Sequence, residues 1–185
     1  MRLFVAAIPP PALAQRLAKA AAALAPPELR VAPAENLHVT IHFLGEVDPD
    51  AVPALEAALA DACAGGEPTV LTLDAIGPGP PRRPRMLWAT ATPSPVYAEI
   101  VEAVSAASTP YAPNARGARP GTPHLTLARL RGRADLRRWP GAQPLEDASF
   151  PVTELALVSS ELGPGGPTYT TIARLPLGAQ SGGRR

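Results

Sequence analysis

Cysteine is nearly missing from this chain. Cys63 stands alone, so no intrachain disulfide can form, and a reducing compartment is expected. Lysine is as scarce, with Lys19 the only one, so the remaining basic residues are all arginine. Charged residues make up 18% of the chain, below the roughly 25% of ordinary soluble proteins. With a net charge of +1, neither a solvated charged tail nor a bulk field for a polyanion is on offer. Aromatic residues are only 4%, too few and scattered for a base-stacking platform. Trp88, in an alternating stretch, is expected in the core. No apolar run approaches the roughly 18 residues of a membrane-spanning helix. The apolar opening at Leu3–Ile8 ends in Pro9-Pro10-Pro11, short of the roughly 7–15 residues of a signal-peptide core. A cytoplasmic protein with no membrane partner is expected.

Proline and glycine are abundant instead, at 25 and 15 residues. Their share lies just under the roughly 25–30% that suggests disorder, and they fall between periodic apolar blocks. Leu3–Ile8 reads as a buried strand. Leu13, Leu17, Ala20 and Leu24 make one face of a helix over 11–24. Residues 37–44 alternate apolar and polar, the pattern of a two-faced strand ended by Gly45. Asp48-Pro49-Asp50 caps a helix to about Cys63, with Val52, Leu55, Leu59 and Ala62 inward. Strands are expected over 69–76 and 86–92, and Ser94-Pro95 opens a third helix burying Val96, Ile100, Val101 and Val104. A strand at 124–130, a short helix near 134–139 and strands at 152–159 and 169–175 complete the set. Residues 1–178 are expected to form one domain of two intertwined lobes, with 179–185 as a flexible tail.

Two of these strands carry the same words. His38-Val39-Thr40-Ile41 returns as His124-Leu125-Thr126-Leu127, 86 residues later and close to half the chain. Residues i and i+2 of a strand share a face, so each motif presents one imidazole and one hydroxyl together. The interleaved Val39, Ile41, Leu125 and Leu127 can pack in the core. Two such strands across a cleft give two groups that move protons near neutral pH and two that hold oxygen. That set suits phosphoester chemistry without metal: one neutral His takes a proton from water while the other, protonated, serves the leaving oxygen. The hydroxyls steady the non-bridging oxygens.

The segments Glu35-Asn36-Leu37-His38-Val39-Thr40-Ile41-His42-Phe43-Leu44-Gly45-Glu46-Val47 and Pro123-His124-Leu125-Thr126-Leu127-Ala128-Arg129 closely resemble the two-histidine (2H) phosphoesterases. Within them the likeness is to the RNA 2′,3′-cyclic phosphodiesterases, formerly called 2′-5′ RNA ligases. It extends to Arg2-Leu3-Phe4-Val5-Ala6, Arg85-Met86-Leu87-Trp88-Ala89 and the stretch from Ser159 to Tyr169. The resemblance implies an α+β fold of two pseudo-symmetric lobes, with antiparallel sheets lining a central cleft and helices outside. It implies hydrolysis of a terminal 2′,3′-cyclic phosphate of RNA to a 2′-phosphate, with no metal or other cofactor. RNA ends or nucleoside 2′,3′-cyclic phosphates are the expected partners, and a monomer is expected. By the same likeness His38 and His124 are the acid–base pair and Thr40 and Thr126 bind the phosphate. His38 is taken as proton donor and His124 as proton acceptor, the exchanged roles remaining open.

Arg129 matches a recurrent position of the family, but strand parity sets it with Leu125 and Leu127, away from His124, unless a bulge re-aims it. His42 departs from the family pattern and is read as a polar residue beside the cleft, on the face of His38. The lead-in Arg119-Pro120-Gly121-Thr122 lacks the aromatic common in relatives. Zinc held by His38, His42, Cys63 and His124 is disfavoured, since i and i+4 in a strand lie about 13 Å apart. Most of the arginine clusters at 82–85, 116–119 and 129–138 are read as solvated surface, with some contacting RNA phosphates. Two other functions fit the same cleft: a noncatalytic RNA- or nucleotide-binding module, and a phosphoesterase for another cyclic phosphate.

Overall fold

Punctuation by proline and glycine carries through to the folded chain, seen in a computed structural model that describes residues 1–112, 115, 121–131, 141–163 and 166–178. The apolar opening forms β1 (Arg2–Ala7) and the first helix is α1 (Pro11–Leu24). Pro11 occupies a first-turn position, where its missing N–H would have no partner in any case. The inward face of α1 is Leu13, Ala14, Leu17 and Ala21, with Ala20 and Leu24 only half-buried. A three-residue strand, β2 (Leu29–Val31), and a 3-10 turn at Ala34–Asn36 lead into β3 (Val39–Glu46). Asp48 accepts a hydrogen bond from the Asp50 amide at 3.0 Å and starts a 3-10 turn. That turn runs into α2 (Val52–Ala64), which buries Leu55, Leu59 and Cys63.

Next come β4 (Thr69–Gly79) and β5 (Met86–Ala91), then α3 (Pro95–Ser108). The Ser94 hydroxyl caps α3 by accepting from the Tyr97 amide at 3.1 Å. Tyr97 rather than Val96 is buried there, and burial pushes its phenol up to about 12. The chain closes with β6 (His124–Leu130), β7 (Gln143–Pro144), β8 (Ser149–Val152), β9 (Glu154–Gly163) and β10 (Gly166–Pro176). The short helix expected near 134–139 lies outside the described residues.

The strands pair antiparallel throughout, in the order β10-β9-β1-β3-β6-β5-β4-β7, with β2 beside β6 and β8 beside β4. This is an α+β architecture dominated by antiparallel sheet. Its two arms, β10-β9-β1-β3 and the rest, meet between β3 and β6 through one register pair, Val39 with Leu125. The helices pack on one face of both arms: α1 on β2 and β6, α3 on β3 and α2, and α2 on β10. The main core lies between helices and sheet, and a smaller one of Phe4, Ala6, Ala156 and Val158 lies on the opposite face.

Candidate active site

Two β-bulges decide what the opposite face carries. Against β1, β3 pairs Thr40 with Ala6 and then His42 with Val5, which leaves Ile41 as an extra residue. Against β5, β6 pairs Thr126 with Trp88 and then Ala128 with Leu87, leaving Leu127 extra. A bulge shifts side-chain parity by one. Thr40 and Phe43 therefore share the face of Ala6 and Phe4, while His42 turns to the side of Val5, in the main core. This corrects the expectation for His42: it is 4% exposed, away from the cleft, and its pKa is lowered by burial. The second bulge swings Arg129 onto the face of Thr126, as the alternative parity required. Arg129 Nη1 donates to Met86 Sδ at 3.2 Å, and the Thr126 hydroxyl approaches the same sulfur at 3.9 Å.

The register through Val39 and Leu125, carried one residue each way, sets His38 across from Thr126 and Thr40 across from His124. His38 and Thr126 line one cavity together, whereas Thr40 and His124 line neither cavity beside His38. The two histidines are diagonal neighbours, roughly 7–8 Å apart in an ideal ladder.

Both rings are held alike. His38 Nδ1 lies 2.8 Å from the Asn36 carbonyl oxygen, and His124 Nδ1 lies 2.9 Å from that of Thr122. A carbonyl only accepts, so Nδ1 carries the hydrogen in each and donates it. Nε2 is left as the working nitrogen. Burial lowers both pKa values; the backbone bonds oppose this, and the charge of Arg129 adds to it. His38 is lowered further by the charge of His124. Thr40 is half-buried on the face of Ala6 and Phe4.

Aromatic rings fix the imidazoles from the side. Phe4 and Tyr169 flank His38, with centroids at 4.8 and 5.1 Å. Trp88 stacks on His124 at 3.8 Å with planes 24° apart. Trp88 is thus not the core residue that strand alternation suggests; it pairs with Thr126 and belongs to the cleft face. Its other face lies on Gly79, where a Cβ would come within 2.1 Å of the indole. The sequence holds a pointer to these rings, since Phe4, Trp88 and Tyr169 sit in the three flanking segments that carry the family likeness.

Two cavities flank His38. The larger, of about 210 Å³, is lined by Arg30, Asn36, His38, Thr126, Arg129 and Tyr169, together with residues 31–33 and the tip of the β9–β10 hairpin. The smaller, of about 130 Å³, lies on the side of Phe4, Glu35, Tyr169 and Arg174. Asn36 Nδ2 donates to the Pro167 carbonyl at 3.4 Å and ties the hairpin tip to the segment that holds His38. Sequence reasoning missed Arg30 and Asn36. A strand as short as β2 has no periodicity to reveal it, whereas Asn36 is legible only through its place in the first motif.

A family model for the 2′-5′ RNA ligase superfamily matches residues 9–164. The chain belongs to that superfamily. An RNA 2′,3′-cyclic phosphodiesterase of Methanothermobacter thermautotrophicus is 31% identical over 141 residues, covering 74% of this chain and 76% of that one. A protein of the same name from Geobacillus stearothermophilus is 29% identical over 80% of this chain, which spans only 48% of that relative. Among solved structures, TT0787 of Thermus thermophilus superimposes with a TM-score of 0.82 at 30% identity, covering 97% of this chain and all of that one. E. coli LigT in complex with 3′-AMP superimposes at 0.77 with 28% identity, covering 95% and 97% of the two chains. The superfamily fold is therefore shared over nearly the whole chain. Among the described residues, no helix is long and apolar enough to cross a membrane.

Proposed function

We propose that this 2′-5′ RNA ligase superfamily member hydrolyses a terminal 2′,3′-cyclic phosphate of RNA to a 2′-phosphate, using two imidazoles and no metal. The observation that carries the reading is the mirrored pair of histidines, each donating Nδ1–H to a carbonyl two residues earlier, on segments that meet in register at Val39 and Leu125. In the reaction, His124 Nε2 takes a proton as water attacks phosphorus. The bond from phosphorus to the ribose 3′ oxygen breaks, and His38 Nε2–H protonates that oxygen. Phosphate stays on the 2′ oxygen and a 3′ hydroxyl is left. Thr40 and Thr126 donate to the non-bridging oxygens, and Arg129 neutralises charge that accumulates on them. The names of the curated relatives and the 3′-AMP held by LigT support this substrate class.

One observation favours exchanged roles. Burial disfavours the cation at both histidines, and at His38 the charge of His124 disfavours it as well, which suits His38 to the role of base. A cyclic substrate with sulfur in place of the 3′ oxygen separates the two assignments, because a thiolate leaves without a general acid. It should rescue the variant that lacks the acid and leave the variant that lacks the base inactive.

The direct test is incubation with a nucleoside 2′,3′-cyclic phosphate in EDTA, followed by phosphorus NMR. Conversion to the 2′-phosphate is expected. Tight binding without turnover would instead support a noncatalytic nucleotide-binding module.

A further inference from the structure

The two imidazoles differ in the ring that lies on them. In the β5–β6 ladder Trp88 stands opposite Thr126 and Thr90 opposite His124. Trp88 and His124 are therefore diagonal neighbours on one face, a separation that aromatic side chains can bridge. The indole does so, stacking on the imidazole at 3.8 Å between centroids with planes 24° apart. At His38 the nearer ring is the phenyl of Phe4, at 4.8 Å, and Tyr169 stands edge-on at 89°. An aromatic face attracts a cation within about 6 Å of its centre, and indole does so best. The closer and stronger π face belongs to His124.

The indole is also held there. Gly79 of β4 backs it so closely that a Cβ would come within 2.1 Å of the ring. Its Nε1 is buried with no hydrogen-bond partner among the described residues, a cost that a phenylalanine would not carry. What the indole offers at this place is its face rather than its N–H.

We infer that Trp88 is a positioning residue whose π face stabilises the imidazolium of His124. The inference rests on the two-imidazole reaction proposed above and adds a residue to it. His124 carries positive charge under either assignment: as base it gains the charge while water attacks, and as acid it holds the charge until it protonates the 3′ oxygen. The Thr122 carbonyl at Nδ1 supports the same cation, while burial and the charge of Arg129 oppose it. Other ionisable groups on the elements around β6 are His38, whose charge repels that of His124, and Arg30 of β2, opposite Arg129. Arg16 and Lys19 of α1, which packs on the far face, are exposed, and β5 carries no ionisable side chain.

The test is an NMR titration of the imidazoles in the ligand-free native protein, Trp88→Phe and Trp88→Leu. Removing the indole has two effects of opposite sign on His124: losing the π face lowers its pKa, whereas admitting solvent raises it. The inference predicts a fall of about half a unit to one unit in Trp88→Leu and a smaller fall in Trp88→Phe, with His38 little changed. A His124 pKa that rises or stays in place overturns it. Trp88→Phe keeps a ring between Gly79 and His124 and decides the matter alone should Trp88→Leu fail to fold. In the pH profile of kcat/KM one limb should move to lower pH, the acid limb if His124 is the base and the alkaline limb if it is the acid. Two unmoved limbs would overturn the inference as well. A cyclic phosphate left intact by the native protein would refute the reaction, while the titration still decides the role of Trp88.

Discussion

The two arms of the sheet present the same motif with the same local devices, yet they diverge beyond the bulge. In β3 the third residue after Thr40 is Phe43, 57% exposed and in contact with Phe4 at 5.8 Å. In β6 the third residue after Thr126 is Arg129, which acts electrostatically on both histidines. The ring supports differ too: two tilted or edge-on aromatics at His38, and one stacked indole at His124. In the proposed reaction the repeated motif supplies the paired acid and base, and departures from the repeat give the cleft direction.

The largest expected effect comes from removing what the arms share. His38→Ala and His124→Ala should each lower turnover by roughly 10²–10⁴-fold, the usual worth of a positioned acid or base, with unfolding temperatures near that of the native protein. Equal turnover in all three would show that the shared motif is not catalytic.

Removing what one arm alone holds comes next. Arg129→Met should lower kcat/KM by about tenfold or more, whereas Phe43→Ala should cost only a few-fold. The same change tests electrostatics. The charge of Arg129 depresses both imidazoles, so its loss raises both pKa values and moves the pH–kcat/KM bell to higher pH. In the native protein both pKa values lie below the ordinary 6.5, so that bell is centred on the acid side of 6.5. A bell that stays in place in Arg129→Met would remove Arg129 from the reacting region.

A third test concerns the stacked indole. A methyl group on Gly79 meets Trp88, so Gly79→Ala should push the indole toward His124 and lower kcat more than it raises KM, by about tenfold for a misplaced catalytic group. Adding Trp88→Leu should restore part of the loss. Independent effects in the double variant would break this link between β4 and His124.

The smallest effect involves His42. Its folded-state pKa is below the unfolded value, so the unfolded chain takes up more protons as pH falls through 6.5, and acid destabilises the fold. His42→Gln should weaken that loss of stability between pH 7 and 5, by no more than a few degrees in Tm. An unchanged slope would show that His42 carries no titration penalty.

These expectations trace what the sequence makes legible. Helix limits at 11–24 and the strand at 124–130 follow from proline positions and periodicity, and both are realised at those residues. The paired motifs reveal His38, Thr40, His124 and Thr126 because period-two alternation holds across three residues. Beyond that it fails. Ile41 and Leu127 are ordinary apolar strand residues, and nothing in their identity marks them as bulged, yet they decide that His42 leaves the cleft face and Arg129 joins it. Register across strands was equally hidden. Arg30 lies far from Arg129 in sequence, and only the β2–β6 ladder makes them neighbours.

The most direct measurement is the pH dependence of single-turnover hydrolysis of one 2′,3′-cyclic phosphate by the native protein, His38→Ala and His124→Ala. The native profile should have an acid limb and an alkaline limb, and each variant's residual activity should lose one limb, a different one in each. Loss of the same limb in both, or both limbs intact in either, would contradict a division of labour between two imidazoles.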